Sequence, residues 1–347
     1  MTRFKLKPAA LAGIALAVGV LVVLLEYFIS LNQDGTLLLT LTFWVALVQG
    51  SVALVAAAEA SGGKWIQPLK KDLLSFYPLI LLIALLSLFL GLHMDAYAWS
   101  EHPGKWLNSS FFLIRNFVIQ ILAFIVAHFF VRATLNGRES KNTWAVLYLF
   151  IFVVSQSLVA FDWVMSLEYP WISTLFGGIF FMEAFFTGLA LLSIVSAYFL
   201  RKGWGNKADI TKVLRDAATF MFGFALAWAG LFYAQYLVIW YGNIPFETNF
   251  FVKRLSQPSF HGLFYLHVLF LFIIPFVGLL SNKWKTSPTW VTLMAVVVLL
   301  GVLVERLYYL LPVTQVSVGK LIVEFILMGF IFWVFFRSRE RFLGASP

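Results

Sequence analysis

The chain has no cysteine among its 347 residues. That excludes a thiolate-ligated iron–sulfur cluster, a covalently attached c-type haem and any disulfide, so a redox centre of those kinds would have to sit on another polypeptide. Charge is also scarce: 12% of residues are Asp, Glu, Lys or Arg, against 61% hydrophobic ones and a mean hydropathy of +0.90. An ordinary soluble domain carries roughly 25% charged residues, so this composition belongs to a membrane protein. The longest polar stretches, at 93–109, 201–216 and 242–257, are too short to hold an inserted soluble domain.

What is present instead is a series of apolar runs, each long enough to carry a helix across roughly 30 Å of hydrocarbon at about 1.5 Å per residue. They lie at 9–29, 37–58, 73–92, 110–131, 143–162, 172–199, 217–241, 258–280, 289–311 and 318–336. The expected fold is all-α and integral to the membrane, one polytopic domain over 1–347 with ten transmembrane helices. Spans 2–5 and 6–9 start on the same side and run four helices each. Segments 37–165 and 172–311 are thus compatible with a pseudo-repeat of two four-helix bundles flanked by spans 1 and 10, in which Asp162 and Glu305 would hold related places.

Lys and Arg collect in the cytoplasmic loops of membrane proteins. With the N-terminus inside, the inner segments hold Arg3, Lys5, Lys7, Lys64, Lys70, Lys71, Arg132, Arg138, Lys141, Arg201, Lys202, Lys207, Lys212, Arg215, Lys283, Lys285, Arg337, Arg339 and Arg341. A missed helix would scramble that alternation, so both termini are expected in the cytoplasm. The net charge of +9 is then a topology signal and calls for no nucleic acid. The basic N-terminus runs into an apolar stretch without a small-residue cleavage pattern, which reads as a retained first helix.

Ionisable groups inside such spans are costly and by default mark an ion or proton path. Glu183 lies deep in the sixth apolar run among Phe180, Phe181, Phe185 and Phe186. His128, Asp162, His267, Glu305, Arg306 and Glu324 join it as candidates for a proton route, spread in depth from His128 near the inner side to Glu305 and Glu324 near the outer. Static ion pairing is the alternative for Arg306 and the carboxylates. Glu305 and Arg306, being adjacent, leave the helix about 100° apart, so each is expected to need a further partner. His93 and His261 both approach the outer surface and could between them grip a haem iron. Trp44, Trp65, Trp99, Trp106, Trp144, Trp163, Trp171, Trp240 and Trp290 fall near helix ends, where an interfacial belt accounts for most of them. Pro78, Pro275 and Gly177–Gly178 fall inside spans, where kinks are tolerated if neighbours satisfy the freed backbone groups.

Two stretches are more distinctive, FDWVMSLEYPWISTLFGG at Phe161–Gly178 and QYLVIWYGNIPFET at Gln235–Thr248, supported by SGGKW at Ser61–Trp65, FFLIR at Phe111–Arg115 and ERLYYLLP at Glu305–Pro312. In these the chain resembles the ten-helix membrane subunit ActF of bacterial alternative complex III, a quinol:cytochrome c oxidoreductase, and more distantly ActC and the NrfD/PsrC-like anchors. The resemblance implies two four-helix bundles and a cofactor-free subunit that supports assembly. Haem and iron–sulfur centres would sit on partners: a multihaem cytochrome c, an iron–sulfur protein and a homologous ten-helix subunit. It also implies a bacterial cytoplasmic membrane and a proton route, which Asp162, Glu183 and Glu305 inherit only where they fall in matching stretches, as Asp162 and Glu305 do. One alternative is a quinol-binding anchor whose outer pocket uses His93, Asp95 or Asp162. Another is a stand-alone transporter with Glu183 in its substrate site.

Overall fold

The structure, a computed structural model, describes residues 6–343; Arg3 and Lys5 lie outside the described residues, as does the side chain of Arg341. Among the described residues, ten helices are long and apolar enough to cross a membrane: Pro8–Phe28, Thr36–Ala60, Gln67–Ala96, Ser109–Leu135, Lys141–Glu168, Leu175–Lys202, Lys207–Gly242, Pro258–Gly278, Pro288–Leu310 and Val318–Glu340, spans 1 to 10 in order. Helices suit the setting because each satisfies its own backbone polar groups, which hydrocarbon cannot do. An even number of crossings puts Pro8 and Glu340, the start of span 1 and the end of span 10, on one face, called here the terminal face; the other is the distal face. Span 7 begins ten residues before its apolar run, at Lys207 rather than 217, because the Asn206 side chain caps the N–H groups of Ala208 and Asp209 and a polar turn precedes the apolar one. The polar stretch 242–257 also contains a short helix, Pro245–Ser256, with proline in its first turn where no N–H is needed.

Spans 2, 3, 4 and 5 close into one four-helix ring and spans 6, 7, 8 and 9 into a second. Spans 2 and 6 lie back to back between the rings, span 5 touches span 6 as span 9 touches span 2, and spans 1 and 10 pack together on the flank against spans 3 and 2. Span 2 is therefore buried along its whole apolar window. Its close approach to span 6 depends on missing side chains. A Cβ on Gly188 would come within 2.6 Å of the Gly50 carbonyl oxygen, and one on Gly50 would overlap the Ala184 carbonyl. Small residues at such crossings let backbones meet.

Three spans are irregular. Span 3 is broken just before Leu79, at Pro78, and ends in tight turns up to Ala96. Spans 5 and 8 each contain one widened π-turn, Val159–Val164 and Leu269–Ile273, the second immediately before Pro275. The Gly177–Gly178 pair, by contrast, leaves span 6 unbroken; a Cβ at Gly177 would crowd Phe161 and Ser157 at 3.0 Å. Trp44, Trp99, Trp163 and Trp171 depart from the interfacial expectation, being buried in helix contacts, while Trp106 and Trp240 are exposed.

Candidate functional site

The second ring encloses Glu183, Glu305 and Arg306, all fully buried. Arg306 Nη2 donates to Glu183 Oε2 at 2.5 Å, and its Nη1 lies 3.6 Å from Glu305 Oε2. Span 6 thus supplies the further partner that adjacency in sequence requires of Arg306. Trp228 Nε1, from span 7, sits between the carboxylates at 3.1 Å from Glu183 Oε1 and 3.2 Å from Glu305 Oε1. The Tyr309 hydroxyl donates to Glu305 Oε1 at 3.0 Å, and the Phe180 ring lies 3.9 Å beneath the guanidinium. Two carboxylates share one guanidinium, so an electroneutral cluster holds one proton. Burial favours neutrality strongly, because an uncompensated charge in a low-dielectric interior costs several kcal/mol.

His267, on span 8, borders this cluster. Its ring stacks on Tyr308 at 4.6 Å and meets Trp228 edge-on, while Nδ1 donates to the Leu263 carbonyl at 2.9 Å, leaving Nε2 as the free acceptor. From the distal side the cluster is covered by the helix Pro245–Ser256. Its buried Arg254 donates to the carbonyls of Tyr308 and Tyr309, both at 2.9 Å, and pairs with Glu168.

In the first ring the equivalent interior is neutral. Gln49 bonds Gln120 at 2.6 Å, Gln156 at 2.9 Å and Ser155 at 3.1 Å. Gln156 stands to Gln49 as Arg306 does to Glu183, spans 5 and 2 against spans 9 and 6. Asp162 lies about two turns from Ser155, further toward the distal face. It forms a two-pronged pair with Arg115 of span 4, at 2.6 and 2.8 Å, with Asn116 donating at 2.9 Å. It borders a distal cavity of about 410 Å³ walled by Trp99, Trp106, Phe161, Met165 and Trp171.

The remaining predicted residues are dispersed. Glu324 accepts from Thr40 at 2.5 Å on the flank, beside Glu26 of span 1. Glu26 in turn holds His93 at 2.6 Å and Lys320 at 2.8 Å, and Lys320 also pairs with Asp34. His93, Glu26 and Asp34 each bring a ligand atom within 4.8 Å of the others, but the Lys320 ammonium already supplies the positive charge there. Asp95 accepts from the Gln33 backbone N–H at 2.7 Å. Of the three alternatives for a quinol pocket, Asp162 borders this cavity and His93 and Asp95 do not. His128 is bonded to Tyr77 at 3.1 Å, and His261 lies edge-on to Tyr265.

Sequence reasoning passed over Glu26, Asp34, Lys320, Arg115, Arg254, Trp228 and Tyr309. A signal existed for the cations: Arg115, Arg254, Arg306 and Lys320 all fall outside the alternating basic loops, and each is buried on a carboxylate. Fold and interior together define an all-α, ten-span membrane protein with buried ion pairs in its distal half. No protein-family model matches the chain, and no curated protein matches it.

Proposed function

We propose that the chain is a cofactor-free membrane subunit of a quinol:cytochrome c oxidoreductase of the alternative complex III type, in a bacterial cytoplasmic membrane with its terminal face inward. In this reading it assembles with a multihaem cytochrome c, an iron–sulfur protein and a homologous ten-helix subunit, and it handles protons at Glu183, Glu305 and Arg306. The observation that carries the proton role is the pair of fully buried carboxylates sharing one guanidinium, with Trp228 donating to both. With one guanidinium for two carboxylates, the neutral cluster carries a single exchangeable proton, which is what a relay step needs. Support for the assembly comes from the resemblance: its motifs hold Asp162, Glu168, Glu305 and Arg306, members of three buried ion pairs.

The test is the number of protons released per electron by the intact complex in proteoliposomes carrying Glu183→Gln or Glu305→Gln. A lowered ratio with electron transfer retained is expected; an unchanged ratio in both variants removes the cluster from any proton route. A second reading, quinol binding, is favoured by the aromatic distal cavity beside Asp162. Quinone retained by the purified protein and lost on filling the cavity with Met165→Trp would support it.

A further inference from the structure

A groove of about 800 Å³ runs between spans 1 and 3, well away from both rings' interiors. Ala12, Ala15 and Gly19 face Leu81, Leu85 and Phe89 across it, and at Gly19 the two spans close to contact, a Cβ there coming 3.0 Å from Leu82. From Pro8 to Leu24 the groove follows span 1 for about 24 Å at 1.5 Å per residue, so it suits a long chain rather than a compact ring. It opens sideways at hydrocarbon depth, where Leu16 and Leu85 are exposed. Its occupant therefore comes from the bilayer and not from water.

Polar groups meet the groove only at its terminal-face end, where Arg132 and Tyr77 line it. Arg132 is exposed in the last turn of span 4, one turn beyond His128, whose Nδ1 is bonded to the Tyr77 hydroxyl. The exposed Lys7 immediately precedes Pro8 at the same end. On the terminal face Glu59 is taken by Lys70 and Lys141 and Asp72 by Arg339, and no ion pair reaches Arg132 among the described residues. Among the described residues, then, Arg132 is a cation at headgroup depth whose charge is left for an outside anion, and a guanidinium fork fits a phosphate diester.

We infer that this groove binds one anionic phospholipid, its acyl part between spans 1 and 3 and its phosphate on Arg132. A neutral quinone could offer a carbonyl to the guanidinium as a hydrogen-bond acceptor but would leave its charge unmatched. The test uses the full chain in nanodiscs of phosphatidylcholine with phosphatidylglycerol as the minor component, and weighs by native mass spectrometry which lipid the released protein keeps. Wild-type protein should keep phosphatidylglycerol in preference. Arg132→Gln, at an exposed position, should cut that preference about fivefold, the scale of one basic residue's attraction to anionic lipid. Ala15→Phe, which fills the groove, should release the lipid with Arg132 intact. Equal retention of both lipids by the wild type, an Arg132→Gln variant that keeps the full preference, or a quinone displaced by Ala15→Phe would each overturn the assignment.

Discussion

Four basic side chains organise the buried polar interior: Arg115 on Asp162, Arg254 on Glu168, Arg306 on Glu183 and Lys320 on Glu26 and Asp34. Removing one partner of such a pair strands the other in a medium that cannot solvate it, a loss of about 3–5 kcal/mol. Arg306→Gln strands two carboxylates, whereas Glu183→Gln leaves Arg306 with Glu305 at 3.6 Å. The arginine variant should therefore unfold at lower denaturant than the glutamate variant in mixed-micelle titrations, and the reverse order would show that Glu183 and Glu305 do not depend on one guanidinium. On the distal loop, burial alone would raise the Asp34 carboxyl, but Lys320 and Thr36 outweigh it and hold the group below the usual carboxylate range. A depressed folded value means that Asp34 contributes fully above about pH 4 and loses its contribution as pH falls through that lower value. The protection of residues 29–35 against hydrogen exchange, relative to the intrinsic rate at each pH, should hold through neutral pH and fall only in acid, and Lys320→Met should lower it at neutral pH.

At the scale of elements, the two rings are joined where spans 2 and 6 cross, and that crossing is built on Gly50 and Gly188. Gly188→Ala should lower stability by about 1–3 kcal/mol, the usual range for overpacking a tight interior. Gly223→Ala, where a Cβ meets nothing within 4 Å, is the matched control. Equal melting temperatures for the two variants would dissolve the argument for a backbone-limited contact. The ten helices were legible in the sequence because length and hydropathy settle them locally. The π-turns at Val159–Val164 and Leu269–Ile273 were not, since an extra residue in a turn is stabilised by neighbours in space: the first carries Asp162 to Arg115, and the second follows the packed His267.

For the whole molecule, the absence of cysteine makes topology directly measurable, because any introduced thiol is the only one. Ser140→Cys and Glu101→Cys lie in exposed turns on opposite faces. With the terminal face inward, a membrane-impermeant thiol reagent added to whole cells should label position 101 and spare 140, and inverted vesicles should give the opposite pattern. Labelling of both positions from one side would break the alternation of ten crossings.

The amino-acid sequence by itself determined the class of the protein, the number of its crossings and the residues too polar for their surroundings, because each is a property of a local stretch measured against the thickness and chemistry of a bilayer. Which polar residues meet was decided only by tertiary structure. Glu183 and Arg306 are separated by 123 positions, Glu26 and Lys320 by 294, and their pairing follows from how the spans pack. In a helix each residue's neighbours along the chain are fixed, but its neighbours across the bundle depend on the rotation and crossing of every other helix, and no local pattern carries that information.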